Sequence, residues 1–212
     1  MTDLSEARDR MLNSHLRARG ITDKRVLTAM AEVPREAFVR RDQFAHAYDD
    51  CPLPSVEGQT ISQPFIVALM IQALRPEPEA IALDVGAGTG YAAAVLSRLI
   101  SRVVAVEYHA ALADQARARC QQLGYDNIEF HVGDGRLGWP DQAPFDLVHV
   151  AACSPEVPPA LTEQLADGGR LILPLGDPST SQQLVRLTRS GETFSRETLG
   201  HVRFVPLLGT SH

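Results

Sequence analysis

The segment Leu83-Asp84-Val85-Gly86-Ala87-Gly88-Thr89-Gly90-Tyr91 places three glycines within five residues, directly after an apolar run. Glycines in such a turn admit positive φ and let the backbone approach a ligand closely. A dinucleotide loop would read Gly-x-Gly-x-x-Gly, but position 91 is Tyr. Asp84 stands two residues before the first glycine. A carboxylate at the lip of this turn would repel a pyrophosphate and suit a cation. Glu107 ends the run Val103-Val104-Ala105-Val106, where an acid can accept two hydrogen bonds from a ribose diol. Asp134, within Gly133-Asp134-Gly135, follows a third such run and suits the amine of an adenine. Each acid alone also reads as a helix cap or turn residue. Three of them, each just beyond a strand and in register with a glycine loop, read together as a nucleoside site. S-adenosylmethionine fits that set, having a sulfonium, an ammonium and no phosphate. The candidate cofactor residues are therefore Asp84, Gly86, Gly88, Glu107, Asp134 and Gly135.

The elements that must hold these residues follow from the hydrophobic period. Ala7, Met11, Ser14 and Ala18 share one helical face, and Gly20 stands where a C-cap glycine would end it. Thr22 or Asp23 can cap a second helix carrying Val26, Leu27, Met30 and Val33, which Pro34 stops. Residues 40 to 64 read as loop, followed by a buried helix from about Phe65 to Leu74. Strands are expected at Ala80–Val85, Arg102–Val106, Ile128–Val132, Phe145–Val150 and Arg170–Leu175. Helices over Tyr91–Ile100, Leu112–Leu123 and Pro159–Leu165 fall between them. Strands alternating with helices imply a parallel sheet covered on both faces. The ending breaks the alternation: Gln183–Arg189 and Val202–Leu208 read as two strands around a turn at Gly191, an antiparallel edge hairpin.

Composition bounds the rest. The 212 residues suffice for one substantial core, and 44% apolar with 22% charged is ordinary for a globular protein. A net charge of −6 offers no general footprint for a phosphate backbone, so nucleic acid is not an expected partner. Cys51, Cys120 and Cys153 lie far apart, which argues against disulfides and a zinc knuckle and for a reducing compartment. The start Met1-Thr2-Asp3-Leu4-Ser5-Glu6 lacks the pattern of a signal peptide, and no apolar run nears the ~20 residues of a membrane span. A cytoplasmic monomer without metal or membrane attachment is expected.

Beyond the glycine loop the chain resembles the protein-L-isoaspartate O-methyltransferase family over almost its whole length. The resemblance is carried by Arg19-Gly20-Ile21-Thr22-Asp23, Val33-Pro34-Arg35-Glu36-Ala37-Phe38-Val39 and Ala47-Tyr48-Asp49-Asp50. Gly138-Trp139-Pro140, Ala143-Pro144-Phe145-Asp146, Gly168-Gly169-Arg170-Leu171 and Val202-Arg203-Phe204-Val205-Pro206-Leu207 add to it. Its most specific part is Gly58-Gln59-Thr60-Ile61-Ser62-Gln63-Pro64. The resemblance implies an α/β Rossmann-like class I methyltransferase fold: a mainly parallel, doubly wound sheet with a C-terminal antiparallel hairpin and an N-terminal helical extension. One domain is expected over 1–212, with N-terminal helices and signature loop in 1–75, the cofactor core in 76–176 and the edge hairpin in 177–212. It further implies S-adenosylmethionine as methyl donor and isoaspartyl peptides and proteins as acceptors, with Ser62 as the active-site residue and Thr60 and Val205 beside the substrate. Two stretches depart from the family pattern. Ser55-Val56 stands where Ile-Gly is usual, and Ala151-Ala152-Cys153 where Thr-Ala-Ala is common.

The implied chemistry asks little of the protein. A carboxylate of ordinary pKa ~4 is ionised at neutral pH, so in-line attack on a sulfonium methyl needs no general base. The work is alignment, worth roughly 7–11 kcal/mol on effective-molarity arguments. Ser62, before Gln63-Pro64, also fits a helix N-cap. Asp49 and Asp50 are expected to hold loop backbone, Cys153 and His149 to pack in the core or sheet, and His109 to sit at the surface. Arg35-Glu36 and Arg40-Arg41 read as a solvated face. The alternatives are a methyltransferase for a small carboxylate or hydroxyl acceptor, and a non-catalytic adaptor.

Overall fold

The computed structural model describes residues 4–209; Met1, Thr2 and Asp3, part of the polar start read for a leader, lie outside it. Five strands run parallel in the order β5 (Ile128–Val132), β4 (Arg102–Glu107), β3 (Ile81–Val85), β6 (Phe145–Val150), β7 (Leu165–Leu175). β8 (Gln182–Ser190) and β9 (Thr193–Val202) extend the sheet antiparallel at the β7 edge. The chain leaves β3 towards β4 and β5, then crosses back to β6 on the other side of β3. The order therefore reverses at β3, and the loops after β3 and β6 diverge to open a crevice, where open parallel sheets bind ligands.

Side-chain alternation divides the core between the two faces of this sheet. Leu83, Val85, Val104, Val106, Val148 and Leu171 pack on one face. Ala82, Ala105, Leu147 and Ile172 pack on the other, against helices α3 (Pro64–Leu74) and α4 (Tyr91–Ser97) and the N-terminal helices. Those begin with α1 (Ser5–Arg10), which passes through a π turn (Met11–Leu16) and a 3-10 turn (Arg17–Arg19) and ends at Gly20. α2 (Lys24–Glu32) is capped by Asp23, whose Oδ1 accepts from the Arg25 and Val26 N–H groups. α5 (Ala110–Gln122) covers β4 and β5, and α6 (Pro159–Glu163) covers β7. Among the described residues no helix is long and apolar enough to cross a membrane.

Three expectations are corrected. The loop over residues 40 to 64 contains a 3-10 turn (Arg41–His46) and a hairpin of β1 (Leu53–Pro54) and β2 (Thr60–Ile61), strands too short to set up an alternation. β7 begins at Leu165, five residues before the expected Arg170, because Asp167-Gly168-Gly169 continues the strand through a register irregularity instead of stopping it. The last strand is Thr193–Val202, not Val202–Leu208. As the outer edge it is mostly exposed, so its sequence shows no buried alternation. The apolar 202–208 segment instead returns across the sheet's mouth: Cys153 N–H donates to Val205 O, and Leu207 N–H to Cys153 O.

Candidate active site

The glycine loop closes over the end of β3. Gly86, Gly88 and Gly90 all have positive φ, and a Cβ at Gly90 would fall 3.2–3.3 Å from Ala116, Cys120 and Phe130 side chains. The loop is therefore pressed onto α5 and β5 and leaves its other side free. On that side lies a cavity enclosing about 850 Å³, part of it open to solvent. Its walls are the signature loop (Gln59 to Ser62), Gly86 and Gly88, Glu107 to His109, Gly135, and His149 with Ala151.

Glu107 holds the centre of this wall. It is 5% exposed, its Oε2 accepts from Gly88 N–H at 2.9 Å, and its Oε1 from His109 N–H at 2.9 Å. Each oxygen retains further acceptor capacity on a residue that borders the cavity, the pattern that a vicinal diol requires. Gly135 also stands against the cavity, and no larger residue fits: a Cβ there would lie 2.4 Å from Val85 Cγ1. Gly135→Ala should therefore displace the 3-10 turn at Gly135–Leu137 and weaken nucleoside binding at least tenfold, read by calorimetry with S-adenosylhomocysteine.

The other two acids sit differently from expectation. Asp84 is not at the lip. It is fully buried beneath the loop, because the β3–β6 register sets it beside His149, whose Nδ1 lies 2.7 Å from Asp84 Oδ1. Asp134 caps the Gly135–Leu137 turn through Arg136 N–H and pairs with the Arg136 guanidinium at 2.7 Å; Gly135, not the Asp134 side chain, borders the cavity. His149 is the buried sheet histidine expected, yet its ring also borders the cavity. His109 is half-buried on the cavity wall instead of exposed.

Several buried polar atoms around this cavity have no partner within the chain: His149 Nε2, Asp84 Oδ2 and His109 Nε2. Such atoms are costly unless something else satisfies them. Glu107 on the wall, with the buried Asp84 behind His149, makes a cleft suited to a cationic nucleoside and ill suited to a pyrophosphate.

A second cleft, open to solvent, adjoins the first on the β8–β9 side. Gln63, Ile66, Ser181, His201 and Arg203 are among its walls, and none of them was assigned a role in the site from the sequence. Arg203 and His201 stand on the edge strand and the returning segment, whose course the sequence did not reveal. Thr60, Ser62, Ala151 and Val205 border both cavities. Of the two departures from the family pattern, Ala151 thus stands in the shared wall, whereas Ser55 and Val56 border neither cavity.

The signature loop is anchored from several directions. Ser62 is not the N-cap of α3: that position is Gln63, and Asp50 Oδ1 accepts from Phe65 N–H at 3.1 Å in its place. Asp50 also takes Gln63 Nε2 and Arg19 NH1, so it holds the loop backbone as expected, while Asp49 pairs with His46 at the surface. Arg35 is the main correction. It is fully buried, not solvated: its Nε donates to Ala47 O at 2.8 Å, its NH2 to Ser62 O at 2.7 Å, and its guanidinium lies 4.7 Å from the Tyr91 ring centre. Burial pushes its pKa down and that of Tyr91 up. Arg40 and Arg41 are exposed, as read.

Cys153 is buried, and burial raises its thiol pKa, which disfavours the nucleophilic thiolate. Its contribution to the site is through backbone bonds to Val205 and Leu207. Cys153→Ala should therefore keep methyl transfer within about threefold in an initial-rate assay, whereas a nucleophilic role would abolish turnover.

The model of the family described as protein-L-isoaspartate(D-aspartate) O-methyltransferase matches residues 7–212. A protein-L-isoaspartate O-methyltransferase of Roseiflexus castenholzii is 53% identical over 207 residues, 98% of this chain and 94% of that one. Its counterpart in Methylorubrum populi is 55% identical over 209 residues, 98% and 97% of the two chains. A solved protein-L-isoaspartate O-methyltransferase superimposes with a TM-score of 0.86 at 30% identity, covering 95% of this chain and 66% of that one. A Plasmodium falciparum structure described as a putative protein-L-isoaspartate O-methyltransferase, in complex with S-adenosyl-L-homocysteine, gives 0.81 at 26%, covering 94% and 97%. Near-complete coverage at half the residues identical, on a sheet whose crevice is lined by Glu107 and by the Gly58–Pro64 loop, places this chain in the protein-L-isoaspartate(D-aspartate) O-methyltransferase family.

Proposed function

We propose that the first cavity binds S-adenosylmethionine, that the second takes the isoaspartyl carboxylate of a damaged protein, and that methyl passes between them at Ser62. The activity is protein-L-isoaspartate O-methylation, whose ester product starts conversion of the linkage back towards aspartyl. The carrying observation is that the two cavities share Thr60, Ser62, Ala151 and Val205. The bound cofactor supplies an electrophilic methyl on a sulfonium. Glu107 accepts from the ribose hydroxyls, Asp134 and Gly135 flank the base, and Gly86 and Gly88 admit the nucleoside close to backbone. Thr60 and Val205 seat the acceptor, whose carboxylate Ser62 orients.

None of the four shared residues titrates near neutral pH. That favours an acceptor already ionised, a carboxylate, over a hydroxyl that would need a base at the joint. We further read the chain as a single methyltransferase domain, a monomer acting in a reducing cytoplasm on protein substrates and not on nucleic acid or membranes; its three thiols are all free.

Ser62→Ala tests the assignment. One hydrogen bond to a charged group is worth about 1.5–3 kcal/mol, so kcat should fall roughly 10- to 100-fold. Affinity for S-adenosylhomocysteine should stay within about threefold, because Ser62 is one residue at the edge shared with the second cavity and the Glu107 anchors of the cofactor wall stay in place. Unchanged kcat would remove Ser62 from the reaction.

A further inference from the structure

His149 has chemistry that the reading above does not use. It lies in β6, in register with Asp84 on β3, and both side chains are almost fully buried. With Asp84 Oδ1 2.7 Å from Nδ1, a neutral ring places its proton on Nδ1 and leaves Nε2 a lone-pair acceptor. Among the described residues that Nε2 has no partner, nor does Asp84 Oδ2. The arrangement is a preoriented acceptor backed by a buried carboxylate, on a residue that borders the cavity Val67 and Met70 of α3 also line.

Its place in the sheet says what it can receive. Glu107 ends β4, and His149 lies on β6, with only β3 between them. Adjacent strands lie ~4.8 Å apart, so two steps carry a ligand roughly 10 Å from the diol acceptors to the histidine. In S-adenosylmethionine about that distance separates the ribose hydroxyls from the ammonium of the amino-acid end, with the sulfonium between. A cationic N–H donor over an Asp-backed imidazole forms a charge-assisted bond without moving any proton.

Resting on the S-adenosylmethionine reading of this cavity, we propose that His149 Nε2 is the acceptor for the cofactor's α-ammonium, and that Asp84 is a positioning residue that fixes its tautomer. The pair then sets how far the cofactor enters, and so where the methyl stands relative to Ser62.

The test compares two nucleoside thioethers by calorimetry: S-adenosylhomocysteine, and 5′-methylthioadenosine, which lacks the amino-acid end. His149→Asn keeps a side-chain donor for Asp84 and deletes Nε2. Losing one hydrogen bond to a charged group should weaken S-adenosylhomocysteine roughly 10- to 100-fold and leave 5′-methylthioadenosine within about twofold. Equal weakening of both ligands, or of neither, overturns the proposal. If that variant does not fold, the wild-type protein decides: the His149 Nε2 nitrogen resonance should shift on adding S-adenosylhomocysteine and not on adding 5′-methylthioadenosine, and the same response to both overturns it. Should the wild type bind neither ligand, the cofactor reading fails, and the proposal with it.

Discussion

Replacing Glu107 with alanine should produce the largest loss of cofactor affinity of any single change in the cleft, roughly 10²- to 10³-fold for S-adenosylhomocysteine. Two effects combine. The diol loses two acceptors, each worth about 1.5–3 kcal/mol when the acceptor is charged, with some of that recovered by water. The Gly88 and His109 N–H groups also lose the carboxylate that fixes the glycine loop and the start of α5 relative to β4. Glu107→Gln separates these contributions. Its amide presents an NH2 where both existing partners are N–H donors, so one anchor becomes a donor facing a donor, and affinity should still fall at least tenfold. Calorimetry reads both variants, with a melting curve to show that each is folded. Wild-type affinity in Glu107→Ala would mean that the ribose is held elsewhere.

Arg35→Ala should have the largest combined effect on stability and turnover. The guanidinium ties the Ala47 and Ser62 carbonyls together from a fully buried position, with the Tyr91 ring against it. Unsatisfied buried carbonyls cost about 1–3 kcal/mol each, and the vacated volume adds a cavity term. Relief from burying a cation offsets part of this, leaving a net loss of about 2–4 kcal/mol. For a chain of this size that lowers Tm by roughly 5–15 °C. Because Ser62 loses its anchor, kcat should fall about 100-fold even well below the new Tm, the scale of an ångström-sized misplacement. Arg35→Lys, a point donor unable to span both carbonyls, should recover stability better than turnover. Normal kcat in a folded Arg35→Ala protein would show that the loop holds itself.

Most of the sheet was readable because its strands are short, largely apolar runs between polar or turn-forming residues: β5 and β6 stand at the expected residues, and β3 and β4 within one. The cavity wall was readable where residue type recurs at fixed spacing: Glu107, Gly86 and Gly88 all line it. It was less readable where tertiary partners decide. Nothing in a local pattern separates a solvated arginine from Arg35, which is buried only because two distant carbonyls converge on it. Asp84 reads as a lip carboxylate until strand register puts His149 beside it. Likewise Ser62 reads as a cap until Asp50, twelve residues earlier, takes that task. The apolar 202–208 segment has a strand's composition because it covers the cleft, whereas the true edge strand is polar because nothing covers it.

The central claim is that this cleft aligns a sulfonium methyl with the carboxylate of an isoaspartyl residue. Incubating the protein with labelled S-adenosylmethionine and two peptides differing only in isoaspartyl versus aspartyl linkage tests it most directly. The expected result is base-labile label on the isoaspartyl peptide and background on its aspartyl twin. Equal labelling of the two, or preferential labelling of a small free acid, would contradict it.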